Sequence, residues 1–470
     1  MFPIEPVESG TLATLLFYTC CLGILLLLGV IIRVKVKIFK RFIIPASLIA
    51  GVLGLILGPH GVNFIPAEMM STWSGYAGIL ISIVFAPMLI GLTLNFKRFK
   101  ETQTVSQLIF SWNTSFIQWG IPLIITGLFL APLLGVNPLF GSVVEVGWSG
   151  GHGTAGGMSQ VYETLGWNDG ASLGLTIATI GLLIGIVGGV IIINYGVRKG
   201  YTNYVGKEDT LVQADKPDLI PSNEQKPSSV TTIQNEIIDG YAFHLALISV
   251  AIFIGWILQS ILIQYLVPSM PLFPMAMIGG FIVSIVLKRS SFYQAVDIET
   301  FRRIQGLALD FLIVSAVATI SIPVVIEYAV PITIITVVTL ASMLFFFFYF
   351  GPRLFEKDWF EHSIILMGTA CGVAAVGYML LRMVDPKLQS DAYVAYGLRA
   401  PFSSPFAGGG LVTSVVPVLT VTFGALTVGF TSVVLMLLIF MVAKFFGIYG
   451  RHKNSYFNYS LPNYGSNQSL

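Results

Sequence analysis

Apolar runs of near membrane-crossing length follow one another along this chain, separated by short polar turns. Thr11–Ile32, Phe42–Gly58, Ser74–Phe96, Ser106–Leu130 and Gly170–Tyr195 form a first set. Tyr241–Leu266, Phe273–Leu287, Ile304–Tyr328, Ile332–Phe350 and Gln389–Thr420 form a second, and Thr422–Phe446 adds one more. Pro59–Trp73 reads as an external loop and Ser290–Arg303 as an amphipathic charged connector. Tyr201–Ile238 is polar, has three prolines and lacks an apolar period, so it reads as a disordered linker.

Two stretches depart from the pattern. Val143–Tyr162, VVEVGWSGGHGTAGGMSQVY, holds six glycines beside a glutamate, a histidine, two serines and a threonine. Each glycine costs a helix about 1 kcal/mol relative to alanine. Such backbone survives at membrane depth only where protein buries it or where it lines a wet cavity. Residues 141–165 are therefore expected to form a re-entrant, broken-helix hairpin. A second Gly-bearing stretch, His362–Met383, predicts another over 362–383.

The predicted fold is an all-α polytopic membrane protein. Two inverted-topology repeats, each of five transmembrane helices plus one re-entrant hairpin, precede a C-terminal extra helix. The predicted divisions are 1–200, the linker 201–238, 239–420, the extra helix 421–448, and a disordered tail 449–470. A shift of 220 places Ala155 on Ala375 and Gly157 on Gly377. The shared layout is the better argument, because inverted repeats with a site between discontinuous helices are a recurring transporter plan.

Basic clusters orient the chain. Arg33–Arg41 carries five basic residues, Lys97–Lys100 reads KRFK, and Arg198, Lys199, Lys288 and Arg289 close other runs. These ends belong in the cytoplasm, which puts the N-terminus outside and the linker and C-terminus inside. The count then favours eleven spans over ten.

Composition agrees with a chain in a lipid bilayer. Hydrophobic residues make up 55%, charged residues 10%, and the mean hydropathy is +0.83. A soluble domain carries roughly 25% charged residues. A net charge of +2 gives no reason to expect nucleic acid. Cys20, Cys21 and Cys371 show no metal spacing and predict no disulfide. The acidic start MFPIEPVESG lacks the basic n-region of a cleaved signal, so the first span is expected to stay.

Candidate chemistry concentrates at few positions. In SGGHGT, glycines 150, 151 and 153 let backbone approach a ligand, and a half-helix N-terminus favours a carboxylate. Ser149 and Thr154 offer oxygens to a sodium ion. The plain alternative is a glycine-packed helix crossing. His152 suits a substrate bond or a proton relay, and equally a turn cap. Asp310, inside GLALDFLIVSAVATI, calls for a partner such as a coupling cation or a substrate amino group, unless it is hydrated at the cytoplasmic edge. Glu145 follows the same logic, or sits at the external mouth. Arg399, in YVAYGLRAPFSSPFAGGG, has the fork that binds both oxygens of a carboxylate. Pairing with Asp310 or Glu145 is its alternative. Pro401, Pro405 and Gly408–Gly410 predict a break in that helix, with Ser403 and Ser404 beside it. Arg382 is expected to snorkel to the cytoplasmic face, and Phe345–Phe348 to be lipid-facing bulk.

At SGGHGT the chain resembles the bacterial sodium/glutamate symporter family. The opening TLATLL, Ile44-Pro45 after the basic loop, Ile90–Leu92 and the Gly-rich fifth span follow in the family's order. In the second hairpin, Gly368-Thr369-Ala370-Cys371-Gly372 fits the front of the family's Gly-rich run. Val376–Arg382 departs from its Thr-Pro-Thr ending. The resemblance implies sodium-driven glutamate uptake by an elevator movement, in a homodimer in the bacterial inner membrane. On it, Gly150, Gly151, His152, Gly153, Thr154, Gly372 and Arg399 would hold the substrate. Ser149, Thr154, Asp310 and Thr369 would serve the cation, with sodium the coupling ion and no cofactor.

Three other readings stand beside this one. A di- or tricarboxylate carrier on a related fold, driven by sodium or by protons through His152, would use the same cleft. A channel fits less well, because single-copy sites in inverted halves suit alternating access better than a ring of filter loops. An intramembrane enzyme would need a paired nucleophile and base or two facing carboxylates, and no spacing here specifies either.

Overall fold

The computed structural model describes residues 7–41, 44–91, 103–205, 220–266 apart from 226, 228 and 235, and 269–449. Every apolar run within those residues is helical, and no strand occurs among them. The helices are α1 Ser9–Lys35, α2 Ala46–Leu57, α3 Ala67–Leu89, α4 Thr104–Leu134, α5 Val143–Gly147, α6 Gly151–Gly157, α7 Ser159–Thr164, α8 Gly170–Lys199 and α9 Gly240–Tyr265. They continue as α10 Leu272–Lys288, α11 Ile298–Ala318, α12 Ile322–Glu327, α13 Ala329–Leu354, α14 Trp359–Cys371, α15 Ala374–Val384, α16 Ala392–Ser403, α17 Leu411–Phe423 and α18 Ala425–Phe445. Seven of the described helices are long and apolar enough to cross a membrane: α1, α3, α4, α8, α9, α13 and α18.

These helices sort into two packed groups. In one, α1, α2 and α3 pack with α9, α10 and α11. Small residues let their backbones close up, as membrane helices require in the absence of a hydrophobic drive. A Cβ on Gly279 would lie 2.0 Å from the Ala251 carbonyl, and one on Gly51 2.6 Å from Val317. The other group gathers α4, the hairpin α5–α7, α8, α13, the hairpin α14–α15, and α16 to α18. Its aromatic residues stack along α13, with Phe350 on Phe440 at 4.4 Å and Phe110 on Phe346 at 4.8 Å.

The third span starts earlier than its hydropathy predicts, at Ala67 rather than Ser74. Glu68, Ser71 and Ser74 give the stretch a loop-like look, but they share the exposed side. Met69, Met70 and Trp73 are buried at helical spacing against α1 and α2, and Ala77, one turn on, is buried against Gly156 of α6. The charged connector ends early for a related reason. Asp297 accepts from the Glu299 and Thr300 N–H groups and starts α11 there. Asp297→Ala is expected to cost about 1 kcal/mol of stability, read as a lowered thermal midpoint. The predicted span Ile304–Tyr328 is interrupted after Ala318. Phe345–Phe348 is not uniformly lipid-facing: Phe345 is exposed, whereas Phe346 and Phe347 are buried in the core. One face of a helix cannot hold four consecutive residues.

Three sequence expectations lie outside the described residues: the KRFK turn Lys97–Lys100, the middle of the linker, and the tail from residue 450.

Candidate functional site

The two hairpins meet tip to tip beside α4. In the first, α5 stops at Gly147 and α6 starts at Gly151, whose φ of +73° only glycine adopts without strain. In the second, α14 stops at Cys371 and α15 resumes at Ala374. A Cβ placed on Gly151 would meet Val373 at 3.6 Å, so the tips stand one methyl group apart at this point.

Gln118 of α4 joins them. Its Nε2 donates to the Ala370 carbonyl at 2.8 Å, and its Oε1 accepts from Ser149 Oγ at 2.7 Å. Ser149 Oγ also lies 3.2 Å from the Ala370 carbonyl. One fully buried amide thus fixes both tips with its two ends.

A third irregular segment completes the enclosure. Between α16 and α17 the chain turns through Gly408 and Gly409 at φ +68° and +98°. Pro401 and Pro405 lie just before this turn, in the end of α16 and the bend that follows. Pro401 removes one N–H from the last turn of α16, which ends two residues later at Ser403. Gly408 N–H donates to Glu145 Oε1 at 2.7 Å, which ties the break to the first hairpin.

These elements surround a cleft of about 250 Å³. Ser149, Gly150, Gly151, His152 and Gly153 line it from the first hairpin, and Thr369, Ala370, Gly372 and Val373 from the second. Arg399, Ser403, Ser404 and Gly408 come from the broken helix, and Ile81, Phe85, Leu309 and Ile313 close the far wall.

Arg399 is the cleft's cation. Its Nη1 donates to Ser111 Oγ and Ser403 Oγ, each at 2.8 Å, and its guanidinium lies 4.3 Å over the Tyr396 ring. Its Nε has no hydrogen-bond partner among the described residues. Neither Asp310 nor Glu145 pairs with it, and no Asp or Glu lines the cleft among the described residues. The buried guanidinium is thus held by two neutral hydroxyls and a ring face, with no carboxylate partner among the described residues.

The remaining predicted residues divide. His152 lines the cleft and bonds Thr179 Oγ1 through Nε2 at 3.0 Å. Thr369 Oγ1 donates to the Ile365 carbonyl and lies 3.2 Å from the Tyr396 hydroxyl. Thr154 lies behind the wall, donating to the Gly150 carbonyl at 2.9 Å and packing on Gly409. Asp310 is apart from these residues. It is exposed on α11, on the side that also carries Leu307, one position beyond the cleft-lining Leu309. Arg382 is exposed.

Sequence reasoning missed the contribution of α4. Ser111, Thr114 and Ser115 line the cleft, and Tyr396 supplies both a ring for Arg399 and a hydroxyl for Thr369. The signal available was a polar run, SWNTS, inside an apolar span. His152 is not the only buried histidine among the described residues. His362 is buried at the start of α14, bonded to Gln107 through Nδ1 at 2.7 Å and to Asp391 through Nε2 at 2.8 Å. His244 is buried at the start of α9, and its Nε2 accepts from the Asp297 N–H.

No group of three or more His, Cys, Asp or Glu able to hold a metal ion occurs among the described residues. Hydroxyls and carbonyls, the ligands sodium prefers, are what the hairpin tips present.

Comparison with curated proteins gave no match. Among solved structures, the chain is similar to the sodium proton antiporter of Methanocaldococcus jannaschii at 16% identity and a TM-score of 0.39, over 90% of this chain and 99% of that one. The sodium/glutamate symporter family matches residues 11–377. That stretch takes in the first hairpin and stops within α15, so Arg399 and the Gly408 turn lie beyond it. The chain belongs to the sodium/glutamate symporter family, a family of transporters and not of enzymes.

Proposed function

We propose that this protein is a sodium-coupled symporter that binds a small carboxylate, glutamate before others, in the cleft between the hairpin tips and Arg399. The observation that carries the reading is the buried Arg399 guanidinium in a cleft lined by no carboxylate among the described residues. Backbone N–H groups of the Gly150–Gly153 turn and the Gly372 turn would hold the substrate's carboxylates with it. Ser149 and Thr369 oxygens, with the Ala370 carbonyl, are candidates for sodium.

An elevator movement fits the packing between the two helix groups. The first hairpin meets α3 and α11 through small residues: a Cβ on Gly156 would lie 2.5 Å from Ala77, and one on Gly153 2.7 Å from Ile81. A smooth face of this kind suits one group sliding past the other. Gly156→Val is expected to abolish uptake, while gel filtration still shows folded protein. Uptake at the wild-type rate would remove the sliding-face argument. The same reading carries a homodimer in the bacterial inner membrane. The N-terminus would be outside and the linker inside, with the basic last turns of α1, α8, α10, α13 and α18 on the cytoplasmic side.

Purified protein in liposomes tests the function. Labelled L-glutamate should accumulate only under an inward sodium gradient. A second reading, a di- or tricarboxylate carrier, draws on the same cleft. No lining Asp or Glu among the described residues stands ready for a substrate ammonium. Competition by malate or citrate but not by glutamate would establish it.

A further inference from the structure

Glu145 is a buried acid that the substrate cleft does not use. Its side chain on α5 is fully enclosed, and it does not line the cleft. Oε1 accepts from the Gly408 N–H at 2.7 Å and from Thr413 Oγ1 at 3.2 Å. Thr413 Oγ1 itself accepts from the Gly409 N–H at 3.1 Å. Oε2 has no partner within hydrogen-bond geometry among the described residues, and the Trp119 indole N–H, likewise unpartnered, is a donor turned towards the carboxylate.

The elements packed around it supply no countercharge. The 3₁₀ turn Pro138–Ser142, α4, the Gly170–Leu183 part of α8, and α17 contain no Asp, Glu, Lys, Arg or His. His152 of α6 lines the cleft and is bonded to Thr179. Tyr162 of α7 is the titratable group whose charge would bear on Glu145, and its hydroxyl lies 3.3 Å from Ser142 Oγ. A negative charge so enclosed is strongly unfavourable unless a bound cation answers it.

The surroundings select which cation. A sodium ion needs several oxygen lone pairs, as hard cations do. Here the carboxylate faces N–H and O–H donors, and Gly409 already takes one of the two Thr413 hydroxyl lone pairs. A proton needs only the oxygen it joins.

We propose that Glu145 is a proton-binding site, with Oε2 taking up one proton and releasing it in the course of the transport cycle. Binding converts the carboxylate to the neutral acid: one O–H bond forms at Oε2 as one breaks in the hydronium ion that delivers the proton, and release reverses both. Gly408 lines the cleft while its N–H holds Glu145, so a single glycine turn separates proton from substrate. Neutralising the acceptor weakens the charge-assisted bond to that N–H and loosens the cleft wall. The use of the proton in transport rests on the transporter reading above; its binding does not.

Infrared difference spectra of the purified full chain, between mildly alkaline and mildly acid buffer, test the site. Wild type is expected to show a buried carboxylic-acid C=O band that Glu145→Gln removes and Glu361→Gln leaves. Thr413→Val keeps the acid but deletes one donor, and is expected to move the pH at which the band appears. No band in wild type, or a band unchanged in both Glu145→Gln and Thr413→Val, overturns the proposal. The spectra use no glutamate, so a failure of uptake in liposomes leaves this test intact.

Discussion

Arg399→Ala is expected to weaken carboxylate binding by about 30-fold, from the loss of ~2 kcal/mol when one member of a buried charge pair is truncated. The effect should appear in substrate affinity, measured by titration calorimetry or by concentration dependence of uptake. Folding should suffer less, because the guanidinium is held by Ser111, Ser403 and the Tyr396 ring rather than by a carboxylate that the change would strand. Arg399→Lys should recover only part of the loss. It restores charge but not the planar fork that meets both oxygens of a carboxylate. Unchanged affinity in the alanine variant would remove Arg399 from the site, and with it the main support for an anionic substrate.

How much of this was readable beforehand depends on the kind of signal. Long apolar runs mark helices because each must satisfy its own backbone in lipid. The glycines of SGGHGT marked the first hairpin, and Pro401, Pro405 and Gly408–Gly410 marked the broken helix, because these residues oppose helix wherever they stand. Arg399 stood out because a guanidinium inside an apolar run demands an explanation. At Asp310 the same argument left a partner and hydration both open, and the residue is exposed on α11. Depth along a helix is legible from hydropathy; which side a residue occupies is not.

Partnerships were the least legible part. Glu145 finds Gly408 across 263 positions, and Gln118 finds Ala370 across 252. Nothing local announces either contact. Serines of α4 are equally silent, since Ser and Thr in membrane helices commonly bond their own preceding turn, as Thr114 does to the Phe110 carbonyl. Ser111 differs only because the fold brings Arg399 to it. The misplaced start of α3 has another cause. Its polar residues all fall on one side, so averaging over the window hid a buried Met69–Trp73 face.

Gln118→Leu should impair transport strongly although Gln118 does not line the cleft. Leucine has nearly the volume of glutamine but neither donates nor accepts, so both hairpin tips lose their tie to α4. The Ala370 carbonyl would be left in an apolar setting apart from its longer contact with Ser149. An unsatisfied buried group of this sort costs roughly 1–3 kcal/mol. If that cost falls on tip geometry, uptake at saturating substrate should drop about tenfold or more. Gln118→Glu is the sharper variant. Its Oε1 can still accept from Ser149, but the second oxygen faces the Ala370 carbonyl with no hydrogen to share, so one tip is held and the other repelled. A pair of cysteines at Gly151 and Val373 would report the result by comparison within that background, where the strain of a side chain at the Gly151 φ is common to every protein compared. Their cross-linking rate should fall in both Gln118 variants if the amide is what keeps the tips together. A rate equal to that in the Gln118 parent would mean that the tips are held together without the Gln118 amide.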